Sequence, residues 1–420
     1  MQFFKWLYPG LGIKRWMLLC ALGLGLIVAV ALGAVKAITH KSVLLGAFAT
    51  AILIFGIFLV YMGIKNMLRI FVRTLLPPHQ DDPLVDLVYH KRQIESLSRG
   101  PRVVALGGGT GLSALLAGLK FFTNNITAIV TVTDTGGSSG RLRDEMDVLP
   151  PGDIRNCLVA LADAEPLIRD LFQYRFEEGD GLTGHSFGNL FITALSKVTG
   201  DFEKAIRASS KVLAIRGRVI PSSLEKVTLV AEFKDGTTVE GETTITGQNK
   251  PLRSIRLKPQ DCTATPEALE AIENADLIIL GPGSLYTSIL PNVLIREIRE
   301  VLLKSEACKV FVINIMTQPG ETDGFSAYDH VRVFTEHTDP RLVDACLVNV
   351  KEIPQALVRK YREKSADLVK LDLDLIREKG YEIVEGPIAK LDEQVRHDPV
   401  ELSRLILDFY LERTRAAAKL

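Results

Sequence analysis

Two stretches near the start of the chain carry no charged side chain. One is WMLLCALGLGLIVAVALGAV, from Trp16 to Val35. The other is SVLLGAFATAILIFGIFLVYMGI, from Ser42 to Ile64. Each reaches the roughly 20 apolar residues that a bilayer-spanning helix requires. Only the segment from Lys36 to Lys41 separates them. The pattern predicts a transmembrane hairpin over residues 1–64, with helices at about 16–35 and 42–64. A cleaved leader would not be followed directly by a second span. Lys5, Lys14, Arg15, Lys65, Arg69, Arg73, Lys91 and Arg92 flank the pair, whereas Lys36 and Lys41 lie between the spans. That asymmetry places both ends, and everything after them, in the cytoplasm, so the expected location is the cell membrane. Trp6, Tyr8 and Trp16 stand where interfacial aromatics belong.

Residues 65–100 read as a linker. Pro77, Pro78 and Pro83 interrupt any long helix. Leu84, Leu87, Val88, Ile94 and Leu97 have helical spacing, and Ser98-Arg99-Gly100-Pro101 marks a boundary. From Arg102 the pattern changes to short apolar runs alternating with amphipathic ones. Val103 to Leu106 predicts a buried strand, Gly107 to Gly111 a turn, Leu112 to Phe122 a helix and Ile126 to Thr133 a β-branched strand. Leu277 to Leu280 and Val310 to Asn314 are further strands, and Gly152 to Leu213 is mostly helical. Val227–Phe233 and Thr237–Ile245 flank Lys234-Asp235-Gly236, a hairpin signal. Val400 to Ala417 forms a final amphipathic helix. The expected fold is α/β, a Rossmann-like doubly wound parallel sheet over 101–395 with an inserted helical segment and β-hairpin. Residues 396–420 are assigned to the C-terminal helix.

Composition narrows the function classes. The 420 residues contain 50 Lys plus Arg and 50 Asp plus Glu, which excludes a strongly basic nucleic-acid binder. With 47% hydrophobic residues the chain is no disordered acidic polymer. Cys20, Cys157, Cys262, Cys308 and Cys346 form no C-x-x-C pair, so they read as small buried hydrophobes rather than a metal or redox motif.

Four glycine-rich segments carry the candidate chemistry. Gly107-Gly108-Gly109-Thr110-Gly111 follows the first strand, and Gly109, Gly111 and Ala114 satisfy G-x-G-x-x-A. Such glycines let backbone N–H groups approach a phosphate at a helix N-terminus. Asp134-Thr135-Gly136-Gly137-Ser138-Ser139-Gly140-Arg141 follows the second strand and offers hydroxyls, N–H groups and an acid for a hydroxyl or a metal ion. Pro150-Pro151-Gly152-Asp153-Ile154-Arg155-Asn156 precedes a helix, where Asp153 also suits an N-cap. Gly281-Pro282-Gly283-Ser284-Leu285-Tyr286 follows a later strand, and Tyr286 could stack on a base or sugar or simply pack. Loops at the carboxyl ends of parallel strands face one crevice, so these segments are expected to converge on a phosphate-bearing ligand. Gly184-His185-Ser186-Phe187-Gly188-Asn189 adds His185 as an acid–base candidate, alongside Asn189. No Ser-His-Asp or H-E-x-x-H pattern stands out.

Together GGGTGLSALLAGLK, TDTGGSSGRLRDE, LPPGDIRNCLVAL, GLTGHSFGNL, GPGSLYTSILPN and NIMTQPGETDG resemble the gluconeogenesis factor family (YvcK-type), which belongs with the CofD-type phospholactate transferases. The resemblance spans about residues 102–395, and the hairpin resembles a membrane anchor added on some members. It implies a Rossmann-like core that binds UDP-sugars such as UDP-N-acetylglucosamine, without a cofactor. It also implies links to gluconeogenic growth, cell shape and cell-wall synthesis proteins. Carried over, Gly107 to Gly111 would cradle the diphosphate. Asp134, Gly136, Gly137 and Ser138 would line the cleft, and Asp153, Arg155, Asn156 and Asn189 would complete it. Tyr286 would touch the uracil or sugar. The family often has TDDGG where this chain has Thr135, one carboxylate fewer for Mg²⁺.

The first expectation is a membrane-tethered, cytoplasmic UDP-sugar-binding regulator, assembled as a homo-oligomer and not an enzyme. The alternative is a Mg²⁺-dependent 2-phospho-L-lactate transferase-like enzyme using a guanylyl donor, with Asp134 at its centre. An NAD-dependent dehydrogenase fits only the first loop.

Overall fold

A computed structural model describes residues 13–37, 43–75 and 97–417. Trp6, Tyr8, Lys5, Lys41, Lys91, Arg92, the three linker prolines and most of the run from Leu84 to Ser98 lie outside the described residues. The chain divides into two units, residues 1–91 and 92–420.

The first unit contains the helices Ile13–Ala37 and Val43–Leu75. They meet through small residues: a methyl group on Gly23 would stand 2.7 Å from the Gly56 carbonyl oxygen. Leu18, Leu32 and Phe48 are each more than half exposed. Both helices are long and apolar enough to cross a membrane. The second does not stop at Ile64 as expected. It runs on to Leu75 because nothing in KNMLRIFVRTL breaks a helix before Pro77.

The second unit is built on a seven-stranded parallel sheet. Its strands are β1 (Val103–Gly107), β2 (Ile126–Val130), β3 (Arg218–Pro221), β7 (Leu277–Leu280), β8 (Cys308–Val312), β9 (Ala345–Asn349) and β10 (Glu382–Gly386), in spatial order β10-β9-β8-β7-β1-β2-β3. All five residues of β1 are buried, as expected of a strand covered on both faces. Val103 pairs with Ile126 on one side and with Leu277 on the other. The chain thus builds outward from β1 through β2 to β3, then returns to the far side of β1. The fold is the Rossmann-like α/β architecture, with its switch point between β1 and β7.

The β excursion is a separate antiparallel sheet of β4 (Thr228–Phe233), β5 (Thr238–Glu240) and β6 (Leu252–Lys258). The second hairpin arm is shorter than predicted. After Glu240 the chain turns at Gly241, where φ is +90°, into the short helix Glu242–Gly247. A strand could not make that turn, and glycine adopts it without steric cost. A two-stranded ribbon, β11 (Ala389–Leu391) with β12 (Val395–His397), precedes the final helix Pro399–Ala417. That helix packs on Gly109–Leu119: Ser403 donates to the Leu115 carbonyl, and a methyl group on Gly118 would overlap Pro399. Cys157, Cys262, Cys308 and Cys346 are buried free thiols.

Candidate functional site

At the switch point the loops after β1 and β7 meet. A methyl group on Gly111 would lie 2.5 Å from the Pro282 carbonyl oxygen, so only glycine permits this approach. Between the loops opens a crevice of about 370 Å³, lined by Gly108 to Gly111, Pro282, Gly283, Ser284, Thr287 and Ser288. Asn314, Gln318 and Glu321 come from the loop after β8, Glu242 from the start of the short helix after β5, and Arg396 and His397 from β12. A larger open groove of about 900 Å³ lies at the amino-terminal end of the strands. Its charges largely satisfy one another, as in the Arg102–Asp276 pair and the contacts of Arg413 with Asp344 and Glu382.

The helix Gly109–Leu119 points its N-terminus at the crevice, and no side chain of its own caps it. Gly109 has φ +62°, in the left-handed region, and the space beside its Cα is open to 3.9 Å. Gly107 is instead the last residue of β1; its carbonyl accepts from the Asn292 amide. Gly281 is likewise buried, away from the lining.

Beside the crevice stands an acidic group that the spacing did not reveal in full. Asp153 does not cap its own helix, whose N-cap is Pro151. Its carboxylate accepts the Gly109 N–H, and burial together with the negative charge of Asp134 raises its pKa to about 6. Asp134 accepts the Gly136 N–H at 2.7 Å. Glu242 is pushed up to about 9 by burial and by the charges of Asp134, Asp153 and Glu321. Burial also raises Glu321, against hydrogen bonds from Ser284, Thr287 and the Tyr286 N–H. Among the described residues no three His, Cys, Asp or Glu side chains converge as a preformed metal site. Mg²⁺ is often held by one or two carboxylates plus phosphate oxygens. Asp134 and Asp153 are near enough for the charge of the first to raise the pKa of the second.

The second loop builds a network next door rather than the crevice wall. Ser186 caps the helix Phe187–Thr199 by accepting the Asn189 N–H. That cap sets His185 and Asn189 over the helix Gly137–Met146. Ser138 Oγ lies 2.9 Å from His185 Nδ1 and accepts the Asn189 amide at 3.1 Å. Burial and the charge of Arg141 lower the His185 pKa. Ser139 packs on Gly152, Gly136 is half-buried and Gly137 is exposed. Arg155 donates to Ser186 and Asn156. Arg155 and Asn156 line a neighbouring groove with Thr110 and Arg169, not the crevice itself.

Tyr286 corrects the sequence expectation most clearly. It is 1% exposed, with its ring edge-on to Phe325 and His337. The π-helical turn Leu285–Ile289 aims it into the core and presents Ser284 and Thr287 instead. The pattern predicts a strand across Glu242, whereas the chain forms a helix there; Gly241 before an acid is the local sign of that helix start. Glu321 and Gln318 sit in the quoted motif NIMTQPGETDG, after a predicted strand, where a crevice loop belongs. Nothing local marks Arg396.

The family description "2-phospho-L-lactate transferase CofD" matches residues 103–389. A protein of Clostridium acetobutylicum is 43% identical over 98% of this chain and 93% of its own length. The gluconeogenesis factor of Bacillus subtilis is 47% identical over 75% of this chain and its full length. The crystal structure of a UPF0052 family protein from Bacillus halodurans superimposes with a TM-score of 0.72 at 46% identity, covering 74% of this chain and 99% of that one. Motifs, fold and matches thus agree that the chain belongs to the CofD family, in its gluconeogenesis factor branch.

Proposed function

We propose that this chain is a membrane-tethered regulator whose cytoplasmic domain binds a UDP-sugar, with UDP-N-acetylglucosamine as first choice, and adjusts central carbon metabolism, cell shape and cell-wall synthesis. The observation that carries the reading is the crevice at the β1/β7 switch point. It combines the N-terminus of the helix that begins at Gly109, whose N–H is held by the Asp153 carboxylate, with a wall of hydroxyl and amide side chains. The first half suits a diphosphate, the second a polyhydroxylated group. The uracil and the sugar identity rest on the family resemblance, and the regulatory role rests on the name carried by the relatives. Ligand-induced ordering of the crevice loops would be read by a partner, such as a cell-wall synthesis protein or a second copy of the chain. The two apolar helices support the tether.

The carboxylates around Gly109 favour one second reading, a Mg²⁺-assisted transferase using a guanylyl donor. Calorimetric titration of the full-length protein in detergent separates the two. UDP-N-acetylglucosamine should bind selectively and be recovered unchanged. Preference for GDP with Mg²⁺, or turnover of a guanylyl donor that Asp134→Asn abolishes, would replace the regulator with the enzyme.

A further inference from the structure

The crevice does not end at the first turn of its helix. Thr110, Ala114 and Arg396 line it, and the same three residues line a second groove of about 660 Å³. That groove runs along the helices Gly109–Leu119, Gly152–Leu161 and Pro166–Gln173. Its charge is one-sided. Among the described residues Lys120, Arg155, Arg169 and Arg396 line it against one acid, Asp170. The hydrogen bonds of these cations go to neutral oxygens. Arg155 donates to Ser186 and Asn156, Lys120 Nζ to the Ala162 carbonyl at 2.8 Å and Arg396 to the Gln394 amide oxygen at 2.7 Å. The groove at the other end of the sheet differs, because there Arg102 is paired with Asp276 and Arg413 with Glu382. Arg155 is 9% exposed. Burial and the charge of Arg175 lower its pKa in spite of Asp153 and Asp134. Burial lowers Lys120 as well, and the charges of Arg169 and Arg216 add to that against Asp163. Cations that oppose one another in a concave, partly desolvated wall focus a positive field on whatever enters it. A guanidinium offers parallel N–H donors that match the two oxygens of a carboxylate or phosphate.

We propose that this groove is an oxyanion-binding subsite that extends the crevice, taking a carboxylate or phosphate group between Arg155, Arg169 and Arg396. The oxyanion is either a substituent on the sugar of the crevice ligand, in which case the inference rests on the nucleotide-sugar reading above, or a separate small anion bound beside it. Full-length wild type and Arg169→Gln in detergent micelles are titrated with four probes. Three are UDP-N-acetylglucosamine and two acids built on the same sugar, its 6-carboxylate and its 3-O-carboxyethyl ether. The fourth is inorganic phosphate. Arg169 lines the groove and not the crevice, so its loss leaves the neutral sugar's site intact.

If the oxyanion belongs to the sugar, wild type binds one of the acids at least fivefold tighter than UDP-N-acetylglucosamine. Arg169→Gln removes that preference and keeps the neutral sugar within twofold. If the anion is separate, the three nucleotides bind wild type alike, and Arg169→Gln weakens phosphate at least fivefold. Wild type that neither prefers an acid nor binds phosphate overturns the proposal, a result that does not depend on the variant folding. An acid preference that survives Arg169→Gln and Arg396→Gln overturns it too, by placing the carboxylate elsewhere. So does phosphate binding unchanged in Arg169→Gln when no acid is preferred. Wild type that binds no nucleotide removes the reading of the crevice; phosphate weakened by Arg169→Gln then still upholds the subsite, and phosphate unaffected by it overturns the subsite as well.

Discussion

The backbone N–H of Gly109 donates to the carboxylate of Asp153, and a methyl group on Gly108 would stand 2.6 Å from Asp153 Oδ2. The helix N-terminus that suits a diphosphate is therefore already faced by an internal anion. A ligand phosphate must share that end with Asp153, which favours binding when Asp153 carries a proton or a cation lies between them.

Asp153→Asn keeps an acceptor for Gly109 and removes the charge. In the absence of divalent cations it should tighten UDP binding by about 1 kcal/mol, roughly fivefold. Wild-type binding should also tighten as the pH falls from 8 toward 6, because Asp153 titrates at about 6 and an adjacent phosphate favours its neutral form. The variant should lose this part of the pH dependence. Calorimetry across that range checks both; weaker binding by the variant would mean that the carboxylate itself holds the ligand.

The raised acids also make stability depend on pH. Glu242 goes from an ordinary 4.5 to about 9, and Asp153 from 3.8 to about 6. Between the unfolded and folded values the native state holds protons that the unfolded chain has lost. Stability therefore falls as pH rises, by at most about 1.4 kcal/mol per pH unit for each such group. Thermal unfolding of the ligand-free protein should shift downward from pH 5 to pH 9. Glu242→Gln should flatten the slope above pH 6, where Asp153 no longer contributes. An unchanged slope would place the Glu242 carboxylate in water.

Gly109 and Gly111 should fail differently. Gly109→Val meets open space but forces a β-branched residue to φ +62°, at a cost of roughly 1–2 kcal/mol, and it fills the phosphate approach. Binding should be lost from a folded domain. Gly111→Ala drives a methyl group against the Pro282 carbonyl and should separate the loops after β1 and β7, costing about 1–3 kcal/mol. Circular dichroism melts alongside nucleotide titration distinguish the two outcomes.

Tyr286→Phe should leave ligand affinity within about twofold of wild type, since the ring packs on Phe325 and His337 inside the domain. Ser284→Ala, two residues earlier and on the crevice wall, should weaken binding several-fold by freeing the Glu321 carboxylate. A large loss of affinity in Tyr286→Phe would place the phenol at the ligand after all.

The sequence by itself determined the elements with strong local signals. The apolar runs made two helices, and VVAL, ITAIV and LIIL made strands of a parallel sheet. The glycine segments at Gly107, Asp134 and Gly281 fell after β1, β2 and β7, because strand burial and turn chemistry are written in neighbouring residues. It also placed Gly108 to Gly111 at the crevice, since position after β1 decides that. Which other residues join them was decided only by tertiary structure. Glu242 arrives from the short helix after β5, Glu321 from the loop after β8 and Arg396 from β12, far apart in the chain. The raised pKa of Glu242 arises from its burial and from the charges of Asp134, Asp153 and Glu321, which no local pattern encodes. Tyr286 was turned away from the crevice by a π-helical turn whose register depends on what packs beneath it. Local sequence chooses elements because its energies are short-ranged. The site is chosen by strand order, which brings the loops after β1, β7 and β8 to the same end of one sheet.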